Sequence, residues 1–94
     1  MKTVTVRIPA ALRNFTGRKS EVIAKGETVL AVLRDLTESN PAIQPHIFDE
    51  AGEVRSFITL FLGETDVRQL QGNDTPLTDG ATLTLVPAIA GGSY

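Results

Sequence analysis

The sequence predicts an α+β roll, in which a sheet of mixed strand direction wraps around one main helix. Two observations predict it. Apolar and polar residues alternate near the beginning and near the end of the chain, which is the period of a half-buried strand. Between these stretches, one segment carries apolar residues at helical spacing. The predicted elements run in the order strand, strand, helix, long loop, strand, short turns and strand, without an internal repeat.

The first two strands are predicted to form a hairpin. Alternating apolar residues mark the first strand, residues 2–8, and Pro9 ends it. Residues 18–24 have the pattern of the second strand. In the connection between them, Leu12 and Phe15 are predicted to pack under the edge of the sheet.

One amphipathic helix is predicted to follow the hairpin. Thr28 can cap its N-terminus, because a threonine hydroxyl accepts a hydrogen bond from a free N–H of the first turn. Pro41 ends the helix, since proline disfavours helical geometry at the preceding residue. The apolar stripe consists of Val29, Leu30, Val32, Leu33 and Leu36, and the anchors of the next loop, residues 41–56, are Ile43, Ile47 and Phe48.

The second half of the chain supplies two further strands. Residues 57–62 have the strongest strand pattern, and residues 82–86 form the last strand. Residues 63–66 are predicted to be a turn, after which Val67 and Leu70 pack toward the core. A mixed sheet around one helix in this order is the β-grasp, or ubiquitin-like, roll. In that fold the first and last strands form a parallel pair at the centre of the sheet.

The amino-acid composition disfavours several classes of protein. A chain of 94 residues, with 41% apolar and 21% charged residues, is expected to be one small globular domain. The net charge of −2 and the few aromatic residues do not favour nucleic acid as a partner. Neither a membrane-spanning run nor a signal-peptide pattern is seen, so we expect a cytoplasmic protein that does not bind membranes. The absence of cysteine excludes disulfides, thiolate metal sites and a cysteine nucleophile.

The sequence lacks the motifs of an enzyme active site. His46 is the only histidine, which is too few for a usual zinc site, and no serine lies in a nucleophile motif. The glycines stand singly at predicted turns except for Gly91 and Gly92, so there is no phosphate-binding loop. We therefore expect no enzymatic activity, no metal and no bound cofactor in this chain.

The C-terminal segment is the most unusual part of the sequence. Pro87 closes the last strand, and small uncharged residues follow up to Gly91 and Gly92. Glycine lacks a Cβ, so this pair can pass through a slot too narrow for other residues. The segment is either a frayed terminus or an arm that carries a terminal glycine carboxyl group into the active site of another protein.

Three stretches resemble the ubiquitin-like sulfur carriers, the MoaD/ThiS family, which includes the small subunit of molybdopterin synthase and the thiamine sulfur carrier. The stretches are Val4-x-Val6-x-Ile8-Pro9, the run from Phe61 to Arg68, and the Asp79-Gly80 turn before the last strand. With the Gly-Gly ending they cover most of the chain, and residues 41–56 match least. The short ending most resembles the carriers that serve biosynthesis of cysteine and similar metabolites.

The resemblance implies a specific chemistry for Gly92. In this family, a ubiquitin-activating-like adenylyltransferase uses ATP to adenylate the terminal glycine carboxylate, which is then converted to a thiocarboxylate. A sulfide-accepting synthase receives the sulfur. Gly92 would be the acyl carrier, and Gly91 would give the tail access to the partner's active site. Residues 1–87 would form the β-grasp domain, and residues 88–94 a flexible tail.

The chain departs from the family pattern at its end. Mature carriers end at the second glycine, whereas Ser93 and Tyr94 follow Gly92 here. While Gly92 is bonded to Ser93, it has no free carboxyl group to activate. The resemblance suggests that a zinc metallopeptidase of the JAMM type removes the extension, with zinc present in the peptidase and not in the carrier. A cloning or sequencing extension is the alternative.

A partner surface is predicted on the outward face of the sheet. Phe57, Phe61 and Val86 occupy strand positions whose sequence neighbours point to the core, and Ile89 lies in the tail beyond them. Exposed apolar residues of this kind mark partner surfaces, and the activating enzyme is the expected partner. The alternative for Phe57 is that residues 41–56 cover it.

Three functions remain open from the sequence. The chain could donate sulfur to a small molecule, serve as the small subunit of molybdopterin synthase, or modify proteins through isopeptide bonds, as ubiquitin does. All three require a free glycine carboxyl group at the C-terminus.

Overall fold

A five-stranded mixed sheet wraps around one helix in this protein, as predicted. The structure is a computed structural model and describes residues 2–87. The strands are β1 (Thr3–Arg7), β2 (Glu21–Lys25), β3 (Ile58–Leu62), β4 (Thr65–Asp66) and β5 (Thr82–Pro87), and the helices are α1 (Val29–Ser39) and the single-turn α2 (Gln44–Ile47). The strand order across the sheet is β2-β1-β5-β3-β4. Short 3₁₀ turns cover Ala10–Phe15, Pro41–Ile43, Val67–Gln69 and Gly72–Asp74.

The central strands β1 and β5 are parallel neighbours, which confirms the predicted placement. Val6 of β1 lies beside Leu83 of β5, and Arg7 lies beside Thr84. Strand β2 pairs with β1 and strand β3 with β5, both antiparallel. Because β1 and β5 run in the same direction, the segments that follow them leave the sheet at the same end. The residues after Pro87 therefore continue from the end at which β1 passes into the connection to β2.

The core lies between the inner face of the sheet and α1. The hydroxyl of Thr28 accepts a hydrogen bond from the N–H of Ala31 at 3.2 Å, which confirms the predicted cap. Burial of apolar side chains from water is the main stabilising contribution here. The fully buried positions include Val4, Val6 and Ile8 of the first strand and its end, Val29, Val32, Leu33 and Leu36 of α1, and Leu83 and Leu85 of β5.

The long segment between α1 and β3 is anchored as the sequence predicted. Ile43, Ile47 and Phe48 are all buried. Asp49 closes a turn here, since its carboxylate accepts hydrogen bonds from the N–H groups of Ala51 and Glu53. The segment packs on the core through its apolar residues and leaves its acidic residues at the surface.

Two predictions for the region after β3 are wrong. Residues 63–66 are not only a turn, because Thr65 and Asp66 form β4 and pair with Leu62 and Phe61 of β3. Leu70 does not return to the core but is 47% exposed. Val67 is buried at the start of its 3₁₀ turn, whereas Leu70 lies at the end, where the backbone leaves helical geometry (φ −109°, ψ −121°) and turns the side chain outward.

Candidate partner surface and tail exit

The last strand of the described residues, β5, lies at the centre of the sheet. Strand β5 ends at Pro87, which lies opposite Ile58 at the beginning of β3. Strand β5 is flanked by β1 on one side and β3 on the other. At its end, β5 pairs with β3 alone, since its register with β1 covers only Thr82, Leu83 and Thr84. We call this end of the sheet the tail exit.

Four of the predicted site residues lie outside the residues that the structure describes. They are Ile89, Gly91, Gly92 and Ser93. Their predicted roles in partner binding, tail access, acyl transfer and processing therefore stay predictions.

The other three predicted residues lie together on the outward face near the tail exit. Val86 is 40% exposed, Phe57 is 44% exposed, and Phe61 is partly exposed. Thr59 lies directly opposite Val86, so Phe57 and Phe61 flank Val86 diagonally, at roughly 7–8 Å between Cα atoms. We call Phe57, Phe61 and Val86 the apolar strip.

Residues 41–56 cover Phe57 only in part, since this residue is 44% exposed. From this segment, the guanidinium group of Arg55 lies over the Phe57 ring, 5.9 Å from its centre. Such a distance allows a cation–π contact. Arg55 is itself held by a hydrogen bond of 2.8 Å from its Nε to the carbonyl of Pro45. The apolar strip is thus bordered by a positioned cation near the tail exit.

Charged residues continue the surface on both sides of Phe61. The strand registers place Glu21, Arg7, Thr84, Phe61 and Asp66 in one row across the five strands. Arg7 and Glu21 form an ion pair at 3.9 Å, and Arg68 and Asp66 form one at 2.6 Å. Hydrogen bonds from Arg68 hold the pKa of Asp66 below its usual value.

The predicted partner surface did not include one exposed apolar residue on this face. Ile23 of β2 is 60% exposed and lies opposite Thr5 of β1, away from the apolar strip. A signal for it was available, since Ala24 points to the core and its neighbour in a strand must point outward. Ile23 is thus an exposed apolar residue on the same face as the strip but distant from the tail exit.

His46 stacks on Phe15, with ring centres 4.1 Å apart, and within residues 2–87 no group of histidine and carboxylate side chains could hold a metal ion. A cleft of about 450 Å³ lies between the end of β2 and α1, at the opposite end from the tail exit. No helix in the described part of the chain is long and apolar enough to cross a membrane.

These features define a ubiquitin-like β-grasp domain whose last central strand leads directly into a Gly-Gly segment. The model of the ThiS family matches residues 6–92. The chain belongs to the ThiS family.

Relatives and solved structures agree with this assignment over nearly the whole chain. The sulfur carrier protein CysO of Mycobacterium tuberculosis is 37% identical over 91 residues, covering 95% of this chain and 98% of the relative. The CysO structure from the Amycolatopsis orientalis BexX/CysO complex matches with a TM-score of 0.85 and 39% identity, covering 95% of this chain and 99% of that one. Small archaeal modifier protein 1 from Methanosarcina acetivorans matches with a TM-score of 0.86 and 33% identity, covering 98% of each chain. Within the ThiS family, the chain is therefore similar to the sulfur carrier protein CysO.

Proposed function

We propose that this protein carries sulfur as a thiocarboxylate on Gly92 and is acted on by partner enzymes rather than catalysing a reaction itself. An adenylating enzyme joins the Gly92 carboxylate to the α-phosphate of ATP and releases pyrophosphate. Sulfide then attacks the acyl carbon, AMP leaves, and the terminal group becomes –COS⁻. Adenylation is needed because a carboxylate lacks a good leaving group. The product holds a nucleophilic sulfur atom on a soluble protein.

The observation that carries this proposal is the position of the Gly-Gly pair after the central strand. The family match ends at residue 92, so Ser93 and Tyr94 lie beyond it. Residues 88–92 can span at most about 17 Å when fully extended. That reach would bring the Gly92 carboxyl group well beyond the sheet, into a site enclosed by the partner, where water is excluded from the activated acyl group.

We further propose that the apolar strip binds the adenylating enzyme. Val86 lies in β5, the strand that leads to the tail, and Phe57 and Phe61 flank it diagonally. Contact with the strip would orient the tail toward the active site, and Ile89 would extend the apolar contact along the tail. CysO of Amycolatopsis orientalis forms a complex with BexX, which supports the expectation that a chain of this kind works through partner proteins.

Processing and delivery complete the proposed cycle. A zinc metallopeptidase of the JAMM type would cut the Gly92–Ser93 bond, releasing Ser93-Tyr94 and freeing the carboxylate. A synthase would then accept the sulfur for cysteine or a related metabolite in the cytoplasm. The similarity to CysO supports this branch over the molybdopterin synthase branch.

The proposal is tested with a chain ending at Gly92. Incubation with ATP, sulfide and the adenylating enzyme from the same organism should produce a species in which one oxygen is replaced by sulfur, seen by intact-mass spectrometry. Gly91→Ala should abolish the conversion without changing the unfolding midpoint, because a Cβ would obstruct a channel sized for glycine. Conversion of Gly91→Ala at the unchanged rate would contradict the role of Gly91 in access.

Protein modification is the second candidate function. The full-length similarity to a small archaeal modifier protein favours it. Both functions begin with the same acyl-adenylate and differ in the nucleophile, which is sulfide in one case and a lysine amine in the other. Recovery of Gly92 in isopeptide bonds to lysines of other proteins would support modification.

A further inference from the structure

The connection between β1 and β2 carries positive charge only. Residues 8–20 contain Arg13, Arg18 and Lys19 and no aspartate or glutamate. We call this segment the basic turn. The whole chain has a net charge of −2, whereas the basic turn is positively charged.

The fold places the basic turn at the tail exit. Arg7, the last residue of β1, lies beside Thr84 in the parallel strand β5, and Glu21, the first residue of β2, pairs with Arg7. The chain between Arg7 and Glu21 therefore lies at the end toward which β5 runs. This placement follows from the parallel central pair and is not visible in the order of charges along the sequence.

The cations of the basic turn have no acidic partners in the described part of the chain. The ion pairs within residues 2–87 join Lys2 to Glu27, Arg7 to Glu21 and Arg68 to Asp66. Arg13 donates from Nε to the carbonyl of Ile8 at 3.0 Å, which positions its guanidinium group without neutralising it. Arg18 and Lys19 are exposed.

The backbone holds the two exposed cations in a defined turn. Arg18 has φ of +66°, a conformation that favours glycine, and its N–H donates to the carbonyl of Arg13 at 2.7 Å. The buried hydroxyl of Thr16 donates to the carbonyl of Lys19 at 3.1 Å. A large charged side chain at a glycine-favouring position is unfavourable for folding, and such positions are often retained for function.

We propose that the basic turn docks against an acidic surface at the rim of the channel through which the adenylating enzyme receives the tail. This inference rests on the proposed function and adds the electrostatic character of its partner. Strand β1, which leads into the basic turn, and strand β3, which bears Phe61, lie on opposite sides of β5. A partner that receives the tail from β5 would therefore lie near both. Peripheral charges of this kind mainly accelerate and orient the encounter.

The surroundings favour a protein over nucleic acid as the partner of these charges. The aromatic ring nearest in sequence, that of Phe15, is partly buried and stacked on His46, so it is not free to stack on a base. The phosphates of ATP are not the target either. The phosphates would react at Gly92, which is five residues beyond Pro87. An extended chain of that length spans about 17 Å.

The test compares two double variants of the chain ending at Gly92. Arg18→Gly with Lys19→Gln removes the exposed cations of the basic turn, and Arg18→Gly also relieves the left-handed backbone. Lys25→Gln with Arg34→Gln is the matched control, because it removes two exposed cations away from the tail exit. At low ionic strength, the first variant should raise the KM for the carrier in adenylation about five- to twentyfold, with unchanged kcat, and the control less than about twofold. The difference should shrink at about 0.5 M salt.

The possible outcomes separate this inference from the proposed function. If the unsubstituted chain ending at Gly92 is not adenylated, the proposed function fails. If it is adenylated and both double variants behave alike, the basic turn has no special role and the inference is overturned. Binding of a short single-stranded RNA that is lost with Arg18→Gly and Lys19→Gln would also overturn it, since the partner would then be nucleic acid. Urea midpoints of the variants that are no lower than that of the unsubstituted chain exclude a folding defect.

Discussion

At the scale of single residues, Gly26 controls how closely the end of β2 approaches α1. A Cβ at this position would lie 2.7 Å from the backbone N of Val32 and 2.9 Å from the Cβ of Ala31. These atoms belong to the first turns of the helix and cannot move without distorting it. Gly26 is needed because of close contact, and its N–H also donates to the carbonyl of Lys2 at 3.0 Å.

We predict that Gly26→Ala lowers the free energy of unfolding by about 2–3 kcal/mol, because the added methyl group overpacks a rigid contact. Gly17→Ala is the matched control. Gly17 has open space around it and φ of +64°, so only the backbone preference is lost, at about 1 kcal/mol. Urea denaturation of both variants measures the difference. Equal losses would mean that α1 can move away from the new methyl group.

At the scale of elements, the apolar strip on β3 and β5 is the surface expected to bind the adenylating enzyme. We predict that Val86→Ser raises the KM for the carrier by about tenfold, since truncation of a central interface residue typically costs more than 1 kcal/mol. Ile23→Ser is the control, because Ile23 is even more exposed on the same face but lies away from the tail exit. Substitution of Phe61 by aspartate would be harder to interpret, since Asp66 lies directly opposite.

The two variants are compared in adenylation assays with chains ending at Gly92, and their folding is checked by urea denaturation. A large increase in KM for Val86→Ser, with little change in KM for Ile23→Ser, would place the apolar strip in the interface. Similar KM values for the two variants would remove the strip from the interface.

We expect Asp66, in the short strand β4, to make a pH-dependent contribution to the free energy of unfolding. Asp66 caps the following 3₁₀ turn by accepting from the N–H of Arg68 at 2.9 Å, and Arg68 lowers its pKa. A carboxyl group with a lowered folded pKa stabilises the fold above its unfolded pKa, and this contribution is lost as the pH falls through the folded pKa.

We predict that Asp66→Asn flattens the decrease of unfolding free energy as the pH falls below the ordinary aspartate pKa of 3.8. The effect should be small, because the ion pair is exposed to solvent. Asp74→Asn, which removes a carboxylate without an ion pair in the described residues, is the control. An identical pH dependence in Asp66→Asn and the unsubstituted protein would contradict the assignment.

The sequence predicted the long elements well and the short ones poorly. Alternation over several residues identified β1 and β3, and a helical stripe with a capping threonine identified α1. Strand β4 has two residues, which is too short to establish a period, and depends on pairing with Phe61 and Leu62. Leu70 was misplaced because apolar character suggested burial, whereas the end of a 3₁₀ turn directs its side chain outward.

At the scale of the whole molecule, the strand topology brings the proposed functional elements close together. The parallel pairing of β1 with β5 puts the basic turn, the apolar strip and the start of the C-terminal segment at one end of the sheet. The sequence predicted the strip, because alternation assigns Phe57, Phe61 and Val86 to one face. It did not predict the basic turn as part of the proposed site, although it predicted the parallel pair that brings residues 8–20 to the tail exit.

The extension after Gly92 provides the most direct test of the central claim that Gly92 is the acyl carrier. A chain ending at Tyr94 offers only the carboxylate of Tyr94, whose ring should not pass a channel sized for two glycines. The measurement is the intact mass of two chains, one ending at Tyr94 and one ending at Gly92, after incubation with ATP, the adenylating enzyme and sulfide, without peptidase. We predict that only the chain ending at Gly92 gains sulfur, and that a zinc peptidase makes the chain ending at Tyr94 competent unless a chelator is present. Sulfur acquired equally fast by the chain ending at Tyr94 would contradict the assignment of Gly92.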